Sequence, residues 1–246
     1  MAADPPLRRL TRLPVRGADA LRLRPTVGAL RRRQRPAWLG SLGSTSPVST
    51  SWGYDRGTPG ARWHIERFLA QQRADITGRV IEIKDSGYTD QFGGGVTERA
   101  VLDVDADNPH VTHVADLADG EGLPSEAFDC FVLTQTLQYL FDLRAALATA
   151  HRILRPGGVL LATMPVTSRI CDYPPTDYWR FTPLAARRLL EDAFAPGAVT
   201  VRGHGNVLTQ VAFLEGLAAQ DLTEAELDHD DERFPLIVCA RAVRAA

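Results

Sequence analysis

"LPSEAFDCFVLTQTLQYLFDLRAALATAHRILRPGGVLLATMP", residues 123–165, reads as strand, helix, strand. "FDCFVLTQ" (128–135) is a short apolar run long enough for a buried strand and too short for a helix. From about Asp142 to Arg155, Leu143, Ala146, Leu147, Ala150, Ile153 and Leu154 keep helical spacing. "PGG" (156–158) predicts the end of that helix, and "VLLATMP" (159–165) a second buried strand. Two strands buried on both faces and joined by a helix are the unit of a parallel sheet.

The same alternation extends outward. Upstream, "RVIEI" (79–83), "AVLDV" (100–104) and "VTHVA" (111–115) read as three strands. Downstream, Thr182 and Pro183 open a helix with Ala186, Leu189, Leu190, Ala193 and Phe194 on one face. "VTVRG" (199–203) and "PLIVCARA" (235–242) make two late strands, separated by a helical insertion with Thr223 and Glu226 as a capping box. These two lack a regular crossover, which predicts an antiparallel edge. Before the first strand, Thr58 as cap and Pro59 as first residue open a helix through "GARWHIERFLAQQ". The pattern predicts an α/β fold, a mainly parallel sheet covered on both faces.

Hydrophobic residues make up 44% of the 246, enough for a core, and no apolar run reaches the ~18 residues of a membrane span. Residues 1–36 hold ten arginines against Asp4 and Asp19, so the remainder of a chain of net charge −2 carries −10. The expected organisation is a basic N-terminal arm or cap over residues 1–52 and a single domain over 53–246. The arm is expected to dock on its own acidic domain or on an acidic partner; nucleic acid is not expected. Cys130, Cys171 and Cys239 have no metal-ligand spacing, and three cysteines do not make a disulfide framework, so a reducing cytoplasm and no metal are expected.

In open α/β sheets ligands bind beyond the carboxyl ends of the strands. Strand one ends at Glu82 and breaks into a turn. Strand two ends at Asp103 and Asp105, and an acid about 20 residues after the first strand's turn suits ribose hydroxyls. Strand three ends with Asp116 and Leu117, where a carboxylate and a backbone edge could meet a purine. Strand four ends in Thr134, Gln135 and Thr136.

With these residues in view, 123–165 resembles the second half of a class I S-adenosylmethionine-dependent methyltransferase, through its "LP…FD" strand and its "R-L-PGG" helix end. The resemblance extends over 79–242, and "WGYDRGTP…W-IERFL" (52–69) and "DYWRFTP" (177–183) resemble a bacterial methyltransferase-domain subgroup. It implies a Rossmann-like seven-stranded sheet in the order 3-2-1-4-5-7-6, strand seven antiparallel, with an N-terminal helical cap. It implies S-adenosylmethionine as cofactor, with Glu82, Ser86, Gly87 and Tyr88 around the methionyl part, Asp103 and then Asp105 at the ribose, and Asp116 and Leu117 at the adenine. Gln135 and Gln138 would lie near the methyl-transfer site, with Thr134 facing the same crevice.

The family loop reads acid-x-Gly-x-Gly-x-Gly; here those positions are Glu82, Lys84, Ser86 and Tyr88. Lys84 is the chain's single lysine beside 27 arginines. Three roles are open to it: pairing with Glu82, Asp85 or Asp103; contacting the cofactor carboxylate or the substrate; or acid–base work in a site that no longer methylates. The three glycines of "TDQFGGGVTER" (89–99) predict that the helix after the loop is short or absent. His64 and His204 are candidate general bases, with Asp177 and Lys84 beside them. Tyr173, Tyr178, Trp179 and Arg180 offer stacking and a cation to a substrate, and Arg56 is placed to pair with a cofactor carboxylate. The expected function is methyl transfer to a small molecule or sugar in bacterial secondary metabolism or glycan modification. The alternatives are a fold relative performing cyclisation, elimination or proton transfer on a biosynthetic intermediate, and a non-catalytic interaction partner.

Overall fold

The computed structural model describes residues 43–171 and 176–245. Chain contacts divide the protein into Met1–Thr45 and Ser46–Ala246. The basic stretch of the expected arm, residues 1–36, lies outside the described residues, as does Tyr173.

The second unit is a seven-stranded sheet in the order β3-β2-β1-β4-β5-β7-β6. Its strands are β1 (Gly78–Ile83), β2 (Val96–Asp103), β3 (His113–Val114), β4 (Phe128–Thr134), β5 (Leu154–Pro165), β6 (Val199–His204) and β7 (Ile237–Val243). Strand β7 runs antiparallel to both β5 and β6, and the remaining pairs are parallel. The antiparallel edge is the one the strand pattern predicts, and the order is the one the family resemblance implies. Among the described residues six helices accompany the sheet: α1 (Gly60–Gln71), α2 (Gly87–Phe92), α3 (Leu143–Ile153), α4 (Pro183–Phe194), α5 (Val207–Leu214) and α6 (Glu224–Asp228). None is long and apolar enough to cross a membrane.

The central strand β4 shows why both faces are covered. Phe131 and Leu133 point to one side, into a cluster with α3 and α4; Cys130 and Val132 point to the other, against Ile65, Phe68 and Leu69 of α1. Phe128 joins the Phe131 side although the alternation would turn it away, because the pairing with β5 shifts register between Phe128 and Cys130. Helix α3 buries Leu143, Ala146, Leu147, Ala150 and Ile153 as its spacing requires, and its cap Asp142 accepts from the Ala145 amide at 3.0 Å. At its other end Arg244 donates to the carbonyls of His151 and Arg152, at 3.3 and 3.0 Å, satisfying acceptors a helix end leaves open.

Several boundaries differ from those read in the sequence. Helix α3 stops at Ile153, and "LRPGG" starts β5, where Leu154 pairs with Phe128 and Gly157 takes a φ of +80°. Residues 96–99 are strand, drawn in by pairing with β1, which leaves α2 only six residues before Gly93–Gly95. Strand β3 shrinks to His113–Val114. His204 closes β6 rather than following it. The cap of α1 is Pro59, while Thr58 turns to Gln220, exchanging hydrogen bonds of 2.9 and 3.2 Å with its side chain. The capping boxes of α6 (Thr223, Glu226) and the Thr182 cap of α4 stand as the sequence implies. Strand β6 is the sheet's edge, and Arg187 of α4 covers it by donating to the carbonyls of Val199 and Val201.

Candidate functional site

The carboxyl ends of β1 and β2 are tied into one structure. At the end of β1, Glu82 is 2% exposed. Its Oε1 accepts the Tyr88 amide at 3.1 Å; its Oε2 accepts the Thr89 amide at 2.8 Å and the Thr89 hydroxyl at 2.7 Å. The carboxylate therefore holds the start of α2 and fixes the path of residues 84–88. Burial pushes its pKa up from 4.5 to about 7, against the three hydrogen bonds that favour the ionised form. Both oxygens are engaged inside the fold, so Glu82 positions the loop rather than reaching beyond it.

Lys84 follows with a φ of +73°, a left-handed conformation natural to glycine and strained for a side chain. Its amide continues the sheet by donating to Leu102 at 2.9 Å. Its side chain is exposed and forms no ion pair among the described residues, so the expected partners Glu82, Asp85 and Asp103 are not used. Asn108 Nδ2 bridges the Lys84 carbonyl, at 2.7 Å, and Asp103 Oδ2, at 2.6 Å. Asp103 Oδ1 accepts the Asp105 amide at 3.1 Å, and Asp105 in turn accepts from Asp107 at 3.0 Å. The Asp116 carboxylate accepts the Ala118 amide at 2.8 Å. The Leu117 side chain is core, which leaves its backbone alone to face a ligand. Ser86 bonds Asp90 at 3.0 Å, and Gly87 donates to Asp85 at 2.8 Å. Tyr88 is half-buried, stacked on Phe92 with the Arg62 guanidinium 5.5 Å over its ring, and burial raises its phenol to about 12.

At the ends of β4 and β5 lies a second group. Gln135 takes a φ of +47° and donates its amide to the Thr163 carbonyl at 2.9 Å; the Thr134 carbonyl accepts from Thr136 Oγ1 at 2.9 Å. Gln138 is 4% exposed. Its Nε2 donates to the Gln135 carbonyl at 2.8 Å, its own carbonyl accepts from Tyr178 and Trp179, and its Oε1 has no partner. Phe141, Tyr178 and Trp179 form an aromatic group beside it, with ring centroids 5.3 and 6.0 Å from Phe141, which is 71% exposed.

Other candidates are engaged in the fold. Asp177 is held by Arg180, with Nη2 to Oδ2 at 2.9 Å, and accepts the Cys171 amide at 2.8 Å; the guanidinium lowers its carboxyl pKa. A paired, depressed carboxylate is a poor base, and Arg180 also braces the Trp179 and Arg169 carbonyls, so both residues are struts of this loop. Arg56 forms a two-pronged pair with Asp221, its Nε 2.9 Å from Oδ2, and is not free for a cofactor carboxylate. His64 and His204 come together with ring centroids 6.3 Å apart, but at β6. Four strand spacings of ~4.8 Å set that strand roughly 19 Å from β1, which removes both histidines from the Lys84 loop. Sequence reasoning missed Asn108 and Phe141. Asn108 sits in the turn "DADNPH", which reads as punctuation, and Phe141 precedes a helix cap, where an aromatic reads as packing.

A methyltransferase-domain family model matches residues 95–162. No curated protein matches the chain in sequence. Among solved structures, an S-adenosylmethionine-dependent methyltransferase from Archaeoglobus fulgidus is 14% identical, with a TM-score of 0.51, over 80% of this chain and 100% of its own. A chain of the complex between the Haloferax volcanii Trm112 methyltransferase activator and a methyltransferase is 16% identical, with a TM-score of 0.53, over 79% and 95%. The [4+2]-cyclase SpnF is 15% identical, with a TM-score of 0.51, over 78% and 84%. At these identities the likeness is one of fold.

Proposed function

We propose that this chain, a member of the class I S-adenosylmethionine-dependent methyltransferase superfamily, transfers the methyl group of that cofactor to a small molecule or sugar bearing an O–H or N–H. The observation that carries the reading is the Glu82–Lys84–Asp103 arrangement. An acid holds the turn after β1, the turn takes a glycine-like φ, and a second acid ends β2. The residues fit the cofactor in kind. Asp103 would take the ribose hydroxyls once Asn108 shares or yields its hydrogen bond, Asp116 and the Leu117 backbone would meet the adenine, and the 84–88 backbone would follow the methionyl part. When bound, the cofactor supplies an electrophilic methyl group on a sulfonium.

The acceptor belongs at the ends of β4 and β5. Gln138 Oε1 is a buried acceptor without a donor, which costs the free protein about 1–3 kcal/mol and invites a donor from a ligand. Phe141, Tyr178 and Trp179 offer flat apolar faces to a sugar or aromatic ring. Holding the acceptor oxygen or nitrogen in line with the methyl group, away from water, is the chain's contribution to the rate. Bacterial secondary metabolism or glycan modification is the setting proposed.

Methyl-labelled S-adenosylmethionine offered with phenols, catechols and amino sugars tests the reading; label is expected in at least one acceptor. Gln138→Met is then expected to raise that acceptor's KM about tenfold or more, with cofactor affinity unchanged and stability within ~1 kcal/mol of wild type. Cofactor binding with no label moved to any acceptor would contradict methyl transfer. It would favour a fold relative that performs cyclisation, elimination or proton transfer, with the exposed Lys84 beside the cofactor as its distinctive group.

A further inference from the structure

A trough between α1 and the β6–β7 edge takes no part in that reading. Two adjoining cavities, of about 190 and 340 Å³, share Phe68, Gln71, Arg202 and His204 as walls. His64 lines the first. It is 4% exposed, and its Nε2 is buried without a hydrogen-bond partner. Burial, and next the neighbouring His204, lower its pKa to about 4, so the ring is neutral in ordinary buffers. The His204 ring lies nearly parallel to it, 20° between planes.

The remaining groups indicate what the trough would take. Asp230 is engaged twice, with His204 Nδ1 at 2.9 Å and the Gly205 amide at 2.7 Å. Asp228 is engaged by Arg67 at 2.7 Å, and the same guanidinium lies 5.1 Å over the Trp63 ring. The carboxylates are thus satisfied. Arg202, exposed on the edge strand, forms no ion pair among the described residues, and Asp230 occupies only one of the two His204 ring nitrogens. Unused capacity is therefore mostly donor capacity, which calls for a ligand of acceptors. No group of three or more His, Cys, Asp or Glu side chains among the described residues is placed to hold a metal ion.

We propose that this trough is a second ligand site, for a small anion whose phosphate or carboxylate meets Arg202 and His204. The unpartnered His64 Nε2 closes the contact as an N–H donor, and Trp63 and Phe68 wall the ligand's body. The site lies at the β6 edge, so it stands or falls independently of methyl transfer.

The test is titration of the full-length protein with inorganic phosphate and, separately, citrate at constant ionic strength, followed by NMR of the imidazole carbon-bound protons. Saturable shifts of the His64 and His204 signals are expected with at least one probe. Arg202→Gln, an exposed substitution, is expected to weaken that binding about tenfold or more, while Arg99→Gln, on β2 at the other side of the sheet, leaves it unchanged. Shifts that never saturate, or equal affinity in the Arg202 variant, would overturn the proposal. Phosphate without citrate would assign a phosphoryl ligand, and the reverse a carboxylate.

Discussion

Glu82→Gln protein is expected to be less stable than wild type by about 1–3 kcal/mol at pH 5, and the gap is expected to close or invert at pH 8. The wild-type carboxylate receives three donors on two oxygens. An amide has one oxygen; with that oxygen keeping both Thr89 donors, its NH2 faces the Tyr88 N–H at 3.1 Å, leaving a buried donor unsatisfied. That loss is present at every pH. Against it stands the pKa of about 7, raised from 4.5 chiefly by burial. For an acid raised on folding, the native state binds more protons than the unfolded state between those values. The contribution of Glu82 is therefore fully present below about 4.5 and is lost as pH rises through about 7. The loss is on the order of 3 kcal/mol and is absent from the glutamine variant. Urea unfolding of both proteins at the two pH values checks this. A gap that widens with pH would mean that the carboxylate is better stabilised charged than neutral.

Lys84→Gly is the second substitution with a large expected effect. A φ of +73° costs a side-chain-bearing residue about 1–2 kcal/mol, while glycine adds ~0.5–1 kcal/mol of unfolded-state entropy. The variant is therefore expected to be as stable as wild type or slightly more so. Its larger effect falls on ligands. The lysine places an unpaired cation at the loop expected to meet a sulfonium. Two unit charges ~6 Å apart at an intermediate effective dielectric of ~40 repel by about 1.4 kcal/mol. Affinity for S-adenosylmethionine is thus expected to rise about tenfold, and affinity for S-adenosylhomocysteine, whose sulfur is neutral, much less. Calorimetry with the two ligands gives the ratio. If both weaken together, Lys84 holds the shared carboxylate instead.

The fold was legible because it rests on local patterns: apolar runs of strand length, a helix with a regular buried face, and turns between them. What the sequence missed was set by long-range partners. Arg56 meets Asp221 across 165 residues, and nothing near either marks the pair. Asp177 and Arg180 are close in sequence, yet their spacing fits a substrate-facing pair as well as the strut they form. The short α2 and the early start of β2 follow from pairing with β1, which local propensity does not see. His64 and His204 read as bases for one site because a sequence does not give lateral distance across a sheet; the strand order does. Lys84 could be singled out by its rarity, but its left-handed backbone, the reason a glycine belongs there, needed the structure.

The central claim is that the carboxyl ends of β1, β2 and β3 form the cofactor site. Calorimetric titration of the full chain with S-adenosylhomocysteine tests it most directly. Saturable binding at one site, in the micromolar range, is expected, with Asp103→Ala weakening it about tenfold or more through loss of the ribose acceptor. No saturable heat in wild type or in Lys84→Gly, or equal affinity in the Asp103 variant, would contradict the account.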